Sequence, residues 1–157
     1  VVVSINISAF IAHEHIDYYT ISHNSKFLSE SKLYRGLAKP IILPKCRFTD
    51  AELSEFEGEN LIDYGLEIKK GAFTTHGRYA TIPYDITLAY ILGALLESKV
   101  GTVSVVGFDG YPQDNVRQQE MVEIINLYNT HEKSVKIKSL TPTNYPIIKG
   151  SVFEPVK

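Results

Sequence analysis

The apolar residues of this chain fall into short continuous runs separated by stretches of mixed polarity. Val1–Ile7 opens with three valines, and Thr102–Phe108 repeats the continuous pattern late in the chain. Such runs are typical of strands covered on both faces, as in a parallel sheet. Two shorter segments, Asp17–Ser22 and Pro40–Pro44, predict further strands.

Two other segments alternate between apolar and polar residues. Alternation over residues 62–69 predicts one peripheral strand with a solvated face. Val135 and Ile137 alternate with lysines, which predicts an edge strand protected by charge. The tail beginning at Thr141 carries three of the seven prolines and is predicted to be an irregular arm.

Helical periodicity is strongest over Tyr84–Ser98, which is apolar nearly all round and predicts a buried helix. Thr49 and Glu52 have the spacing of a capping box, so a helical turn should begin there. Asn115 and Gln118 offer the same device to a later helix. The apolar face of that helix is predicted to consist of Met121, Ile124, Ile125 and Tyr128.

Strands alternating with helices predict an α/β three-layer sandwich built on a mostly parallel, Rossmann-like sheet. The 157 residues contain no linker rich in Pro, Gly or Ser, so residues 1–157 are expected to form a single domain. The sequence opens within a predicted strand, and we therefore expect it to be the C-terminal fragment of a longer chain.

Composition and charge narrow the range of partners. A net charge of −2 argues against a nucleic-acid or anionic-membrane surface as the main partner. The longest apolar stretch, around Leu88–Leu96, is far shorter than the ~20 residues that span a bilayer. Cys46 is the one cysteine, which fits a reducing compartment such as the cytoplasm, and it is expected to be buried.

Candidate chemistry begins where the strand Thr102–Phe108 ends. Ligands of open α/β sheets bind beyond the carboxyl ends of the strands. Gly107 and Gly110 permit a tight turn that would present Asp109 and Tyr111 above the sheet. An aspartate there suits sugar hydroxyls or loop amides, although it would equally serve to cap the turn toward the next helix.

Two other strand ends carry small polar residues. Ser4 and Asn6 share one side of the first strand, and Asn6 offers both a donor and an acceptor to a base or a sugar hydroxyl. The alternative is that Asn6 closes the loop to Ser8. Thr141 and Thr143 lie in a polar turn after the last strand. We expect the three strand ends to point these residues at one cleft.

Other candidate sites are weaker. His13 and His15 have H-x-H spacing, which suits a divalent metal if the segment is extended and is otherwise a solvated loop. Thr74–Arg78 would hold an anion or form a plain turn. The sequence lacks the phosphate-loop, dinucleotide, esterase and zinc-ribbon motifs.

Five segments together carry a resemblance to a known family: V-S-I-N-I, I-D-Y-Y-T-I-S-H-N-S-K-F, G-F-D-G-Y, D-N-V-R-Q-Q-E-M-V-E-I-I-N-L-Y and S-L-T-P-T-N-Y. They resemble the C-terminal domain of aldolase-like proteins of the hydroxymethylglutaryl-CoA lyase type, often labelled 4-hydroxy-2-oxovalerate aldolase, which recur in bacterial surface-polysaccharide loci. The resemblance implies an N-terminal aldolase barrel in the same chain as partner. A divalent metal would belong to that barrel, and no cofactor is expected in this domain.

That domain is in turn similar to bacterial sialyltransferases, which bind a cytidine nucleotide sugar. The similarity implies that Asn6 lies at the nucleotide-binding strand end, that Tyr111 steadies the leaving phosphate, and that Leu140–Thr143 forms a nucleotide-side turn. The family's G-x-G-P-S loop is absent, and no catalytic His follows Tyr111. The expected function is an accessory nucleotide- or nucleotide-sugar-binding domain without the aldolase active site. The alternatives are a sialyltransferase-like glycosyltransferase and a structural or oligomerisation module.

Overall fold

The computed structural model describes residues 1–8 and 11–154. Its strands are β1 (Val3–Ile5), β2 (Tyr18–Thr20), β3 (Ile41–Leu43), β4 (Leu61–Asp63), β5 (Gly65–Ile68), β6 (Thr74–Thr75), β7 (Tyr79–Ile82), β8 (Val103–Val105), β9 (Ile137–Ser139) and β10 (Ile148–Lys149). Its α-helices are α1 (Asn24–Ser29), α2 (Ser31–Tyr34), α3 (Asp50–Ser54), α4 (Thr87–Glu97) and α5 (Val116–Thr130). Single 3₁₀ turns occupy His13–His15 and Lys45–Arg47.

Hydrogen bonds group the strands into three sheets. Sheet A has the order β1-β2-β3-β4 and is parallel throughout. Sheet B pairs β7 with parallel β5 on one side and antiparallel β6 on the other. Sheet C has the order β10-β9-β8 and is also parallel. Mostly parallel strands joined through helices confirm the predicted α/β class.

Sheet A is covered on both faces, as its continuous apolar strands predict. Tyr19 and Leu43 point to one face, where they pack in a cluster with Phe27 of α1. Ile5 and Ile42 point to the opposite face and pack against the cluster built around α4 and α5. Because successive side chains of a strand alternate in direction, β3 contributes Ile41 and Leu43 to one cluster and Ile42 to the other. Sheet A is therefore the middle of three layers.

Sheet C is covered on one face only. Val105 and Ile137 are buried in the cluster that contains α4 and α5. Ser104 and Val106, which point the other way from β8, are exposed. The continuous apolar run over Thr102–Phe108 therefore overstates the burial of this strand.

Helix α4 lies in the interior, as predicted. Eight of its eleven residues are buried, and it packs closely on β7 of sheet B. A Cβ atom added to Gly93 would lie 2.6 Å from the Cβ of Ala80, so only glycine permits this approach. The hydroxyl of Tyr90 donates a hydrogen bond to the carbonyl of Tyr64, and burial raises the pKa of Tyr90 well above its usual range.

The alternating segment 62–69 is two strands rather than the predicted single one. The N–H of Tyr64 donates to Leu43 O in sheet A, whereas the N–H of Gly65 donates to Arg78 O in sheet B. The chain therefore passes from one sheet to the next between these two residues. The alternation of apolar and polar residues continues where the chain changes sheet, so the sequence pattern does not reveal the change.

The edge-strand prediction for residues 135–137 is wrong, and the irregular-arm prediction for the tail is wrong for Ile148–Lys149, which form a strand, while the other described residues of the tail are irregular. Strand β9 is the central strand of sheet C, because part of the tail forms β10 and pairs with it. Two lysines flanking Ile137 suggest an edge, but the long lysine stem of Lys138 is half-buried in the sheet. Cys46 is exposed, which contradicts the expected burial.

One of the two capping predictions is confirmed in full and the other in part. Thr49 and Glu52 form the complete capping box at α3, as predicted. At α5 the side chain of Asn115 accepts from Arg117 N, but Gln118 is buried and bonds elsewhere. The predicted apolar face of α5 is buried throughout.

Candidate functional site

Two groups of polar residues lie where parallel strands end. The first follows strands β1, β2 and β3, and we call it the sheet A rim: Asn6, Ser22, His23 and Arg47, together with Asp85, which precedes α4. The second follows β8 and β9, and we call it the sheet C rim: residues 107–111 and 141–144, together with Gln118 of α5.

Asn6 is the most unusual residue of the sheet A rim. Its φ of 59° is in the left-handed region, which non-glycine residues seldom adopt. Its N–H donates to Thr20 O at 3.0 Å, so the backbone is held against β2. The side-chain Oδ1 is buried and has no hydrogen-bond partner. Backbone strain together with an unsatisfied buried acceptor is typical of a binding position.

Two neighbours hold Asn6 in this conformation. The hydroxyl of Ser4 donates to Asn6 O at 2.8 Å, and Ser4 itself is buried. The next residue, Ile7, donates its N–H to the hydroxyl of Tyr34 at 3.0 Å. Burial raises the pKa of that phenol, so it is neutral at physiological pH. Ser4, a predicted ligand contact, therefore supports the backbone of Asn6 rather than facing solvent.

A charged cluster follows β2 and β3 in the sheet A rim. Arg47 Nη1 lies 2.6 Å from Asp85 Oδ2 and also donates to Ser22 O at 3.2 Å. His23 Nδ1 lies 3.4 Å from the same Asp85 Oδ2. The other oxygen of Asp85, Oδ1, is buried and has no partner. One carboxylate thus faces a guanidinium and an imidazole and retains an unused acceptor.

The first turn of helix α4 lies against this cluster. The Thr87 hydroxyl lies 2.9 Å from the hydroxyl of Ser22, and both side chains are buried. The residue that caps α4, Ile86, has no side chain able to bond the first helical amides. The Oγ1 of fully buried Thr20 has no partner either. Unsatisfied polar groups therefore collect around the ends of β1 and β2.

The sheet C rim is organised differently, because its polar groups bond one another. Gly107 N donates to Thr141 Oγ1 at 3.0 Å, which joins the turns after β8 and β9. Asn144 N donates to Asp109 O at 2.8 Å. The sequence prediction that the G-F-D-G-Y turn lies beside Thr141 is consistent with these bonds.

Gln118 connects this rim to α5. Its Oε1 accepts from Tyr111 N at 3.0 Å, and its Nε2 donates to Asn144 O at 3.2 Å. Gly110 has a φ of 96°, and an added Cβ would lie 3.0 Å from the Cβ of Asn144 and 3.2 Å from Gln118 Oε1. Glycine is therefore required there for both conformation and space.

The side chains of the sheet C rim differ in exposure. Asp109 and Tyr111 are exposed, and Thr143 is buried and accepts from Tyr145 N at 3.1 Å. Burial, followed by the nearby Tyr111, raises the pKa of Tyr145. A groove of about 640 Å³ runs beside this rim, lined by Asn144 and by α5. Asp109 and Tyr111 therefore present polar side chains to solvent.

The predicted site residues thus fall into two sets. The hydrogen bonds of Asn6 run to Ser4 and Thr20 within sheet A, whereas those of Thr141 and Asp109 stay within the sheet C rim. Convergence of all three strand ends on one cleft stays a prediction. Sequence reasoning missed the charged cluster, although the polar S-H-N directly after the second predicted strand was a usable signal.

The other candidate sites have less support in the structure. His13 and His15 lie in an exposed 3₁₀ turn, not in the extended segment that would align their rings. Within residues 1–8 and 11–154, no three His, Cys, Asp or Glu side chains are grouped as metal ligands. In the same residues, no helix is both long and apolar enough to cross a bilayer. Thr74–Arg78 forms β6 and an exposed turn.

The fold and the two rims define an α/β protein of Rossmann-like type with polar groups where its parallel strands end. Comparisons with models of protein families, with curated proteins and with solved structures found no significant match. The resemblance to the aldolase-associated domain therefore stays a prediction, and function has to be argued from the rims themselves.

Proposed function

We propose that this chain binds a cytidine nucleotide or nucleotide sugar, with the nucleoside held at the sheet A rim beside Asn6. The single observation that supports this is the state of Asn6, whose backbone is left-handed and whose buried Oδ1 has no partner. A ligand that donates a hydrogen bond to Oδ1 would remove the penalty of about 1–3 kcal/mol for an unsatisfied buried acceptor.

An unpaired acceptor selects ligands by their donors. Cytosine presents an exocyclic amine, whereas uracil presents a carbonyl oxygen at the equivalent position. Asn6 Oδ1 would accept from the amine and would repel the carbonyl. Selectivity for cytidine over uridine is thus the distinguishing consequence of the proposal.

In this proposal the exposed groups of the sheet C rim receive the rest of the ligand. The carboxylate of Asp109 accepts from sugar hydroxyls, and the hydroxyl of Tyr111 donates to a phosphate oxygen. Gly107 and Gly110 shape the turn, Thr141 joins it to the turn after β9, and buried Thr143 supports that second turn. The domain is accessory to an aldolase barrel of the same chain. It acts in the cytoplasm, where a single exposed thiol such as Cys46 stays reduced.

The proposal is tested by thermal shift with CMP, CDP and UMP. CMP and CDP should raise the melting temperature, and UMP should raise it less. Asn6→Gly removes the acceptor but keeps a residue that tolerates a φ of 59°, so the folded state is retained. This variant should melt at or above the original temperature and lose the CMP shift. A flat profile for all three nucleotides, or an unchanged CMP shift in Asn6→Gly, contradicts the proposal.

A further inference from the structure

The imidazole of His23 is held in the arrangement of a general base. Its Nδ1 faces Asp85 Oδ2 at 3.4 Å, and the side chain is 40% exposed. Asp85 thus lies on the Nδ1 side of the ring, and Nε2 is the nitrogen on the side away from this carboxylate. Nε2 has no hydrogen-bond partner among the described residues, so the accepting nitrogen is available to a ligand.

Arg47 supplies a complementary positive group to the same cluster. Its Nη1 donates to Asp85 and to the carbonyl of Ser22, and these are the side-chain hydrogen bonds of Arg47 among the described residues. Nη2 and Nε therefore stay available, and a guanidinium presents such donors in the planar geometry that phosphate oxygens match. The side chain of Arg47 is 25% exposed.

The cluster lies within reach of a ligand held at Asn6. Ile5 pairs with Thr20, so Asn6 stands beside Ile21, two residues before His23. The chain stays extended there, because Ile21 N donates to Ile42 O and His23 has φ −94° and ψ 111°. Strand spacing then separates the Cα atoms of Asn6 and His23 by roughly 8 Å.

We propose that His23 is the general base for hydrolysis of a phosphoanhydride in the ligand bound at the sheet A rim. This inference rests on the proposed function and adds a reaction to it. A water molecule attacks phosphorus and gives its proton to His23 Nε2. The new bond joins the water oxygen to phosphorus, and the bridging phosphorus–oxygen bond breaks. The leaving phosphate oxygen takes the electron pair, and the proton on His23 returns to it.

Arg47 and Asp85 have distinct parts in this reaction. The guanidinium of Arg47 contacts the phosphate and neutralises the charge that develops on its oxygens. Asp85 acts through His23, since it orients the ring and stabilises the imidazolium that forms. His23 is thus the catalytic residue, and Asp85 is a positioning residue.

The test uses cytidine 5′-diphosphate glucose in water enriched in ¹⁸O, with CMP and glucose 1-phosphate as the expected products. His23→Gln should lower kcat by about 10²–10⁴-fold, the usual contribution of a general base, and should keep the CMP thermal shift. Added imidazole should restore part of the activity of His23→Ala. Asp85→Asn should lower kcat with little change in KM. His15→Gln, an exposed histidine before β2, is the matched control and should turn over normally.

The outcomes separate the two proposals. A thermal shift with cytidine 5′-diphosphate glucose but no turnover, or equal turnover in His23→Gln, overturns the catalytic inference and leaves binding standing. Absence of any shift contradicts the proposed function and the inference together. Label found in free glucose rather than in a phosphate product shows attack at carbon and also overturns the inference.

Discussion

The sheet A rim and the sheet C rim occupy equivalent positions at the ends of parallel strands, but their polar atoms are satisfied to different degrees. In the sheet C rim, Gly107, Asp109 and Gln118 are joined by hydrogen bonds to neighbouring turns. In the sheet A rim, Asn6 and Asp85 each keep a buried oxygen without a partner. One rim forms a closed network, and the other is open.

This difference indicates which rim stabilises its own turns and which keeps buried acceptors for the nucleoside. A closed hydrogen-bond network is complete within the protein and stabilises the turns that form it. Unpartnered buried oxygens lower stability unless something binds them, so they persist where binding compensates for the cost. The G-F-D-G-Y turn has the more conspicuous sequence, yet the plainer residues around Asn6 and His23 form the better candidate site.

The largest expected effect belongs to the closed network. Gly110→Ala should lower the free energy of unfolding by about 3 kcal/mol, because it combines a positive φ with a close contact to Asn144 and Gln118. Gly107→Ala is the matched control, since its φ is also positive but nothing lies within 4 Å of the added Cβ. It should cost about 1 kcal/mol. Urea denaturation measures both, and equal losses would show that Gly110 is not locked in a packed network.

A smaller effect is expected in the charged cluster of the sheet A rim. Arg47→Met should lower the free energy of unfolding by about 1 kcal/mol, because Asp85 loses a half-buried guanidinium partner. Arg35→Met is the control, since its pair with Glu55 is more exposed. It should cost at most about 0.5 kcal/mol. Chemical denaturation at low and high salt checks this, and a larger loss in Arg35→Met would contradict the placement of Arg47.

The last effect is absent near neutral pH and appears only at alkaline pH. Burial raises the pKa of Tyr34 in the fold above the value of about 10 in an unfolded chain. Its contribution to stability is therefore fully present below pH 10 and is lost as pH rises toward the folded-state pKa, by about 1.4 kcal/mol per pH unit. Tyr34→Phe should flatten the decline of unfolding free energy above pH 10.

The unfolding free energy measured above pH 10 also compares the two rims. Tyr145, at the sheet C rim, also has a raised pKa, but it is less completely buried than Tyr34, so Tyr145→Phe should flatten the decline less. Tyr79→Phe, whose side chain is exposed, serves as the control. A decline that is equally steep in Tyr34→Phe would show that this phenol does not couple to folding in the alkaline range.

Local signals in the sequence predicted the elements whose causes are themselves local. The capping box at Thr49 and Glu52 is complete, and the apolar run over Tyr84–Ser98 marks the buried helix α4, which begins at Thr87. Strand pairing was harder to predict from the sequence. Val135 and Ile137 alternate with lysines as an edge strand does, but pairing with β10 makes β9 central. Which strand adds to which edge depends on residues distant in the chain.

The candidate site shows the same division. Asn6 and the G-F-D-G-Y turn were recognised because small polar residues and glycines follow apolar runs directly. The cluster of His23, Arg47 and Asp85 was not recognised, since its members follow two different strands and precede a helix. No spacing rule connects them. Only the parallel order of sheet A brings their side chains within 3.4 Å of one carboxylate.

The amino-acid sequence by itself determined the α/β class, the helices with local caps and the polar residues at the strand ends, because those follow from hydrophobic periodicity and short-range hydrogen bonding. The tertiary structure decided the division into three sheets, the central position of β9, and the contrast between a closed rim and an open one. The physical reason is that a side chain is satisfied or unsatisfied only by neighbours from other segments, and chain folding selects those neighbours.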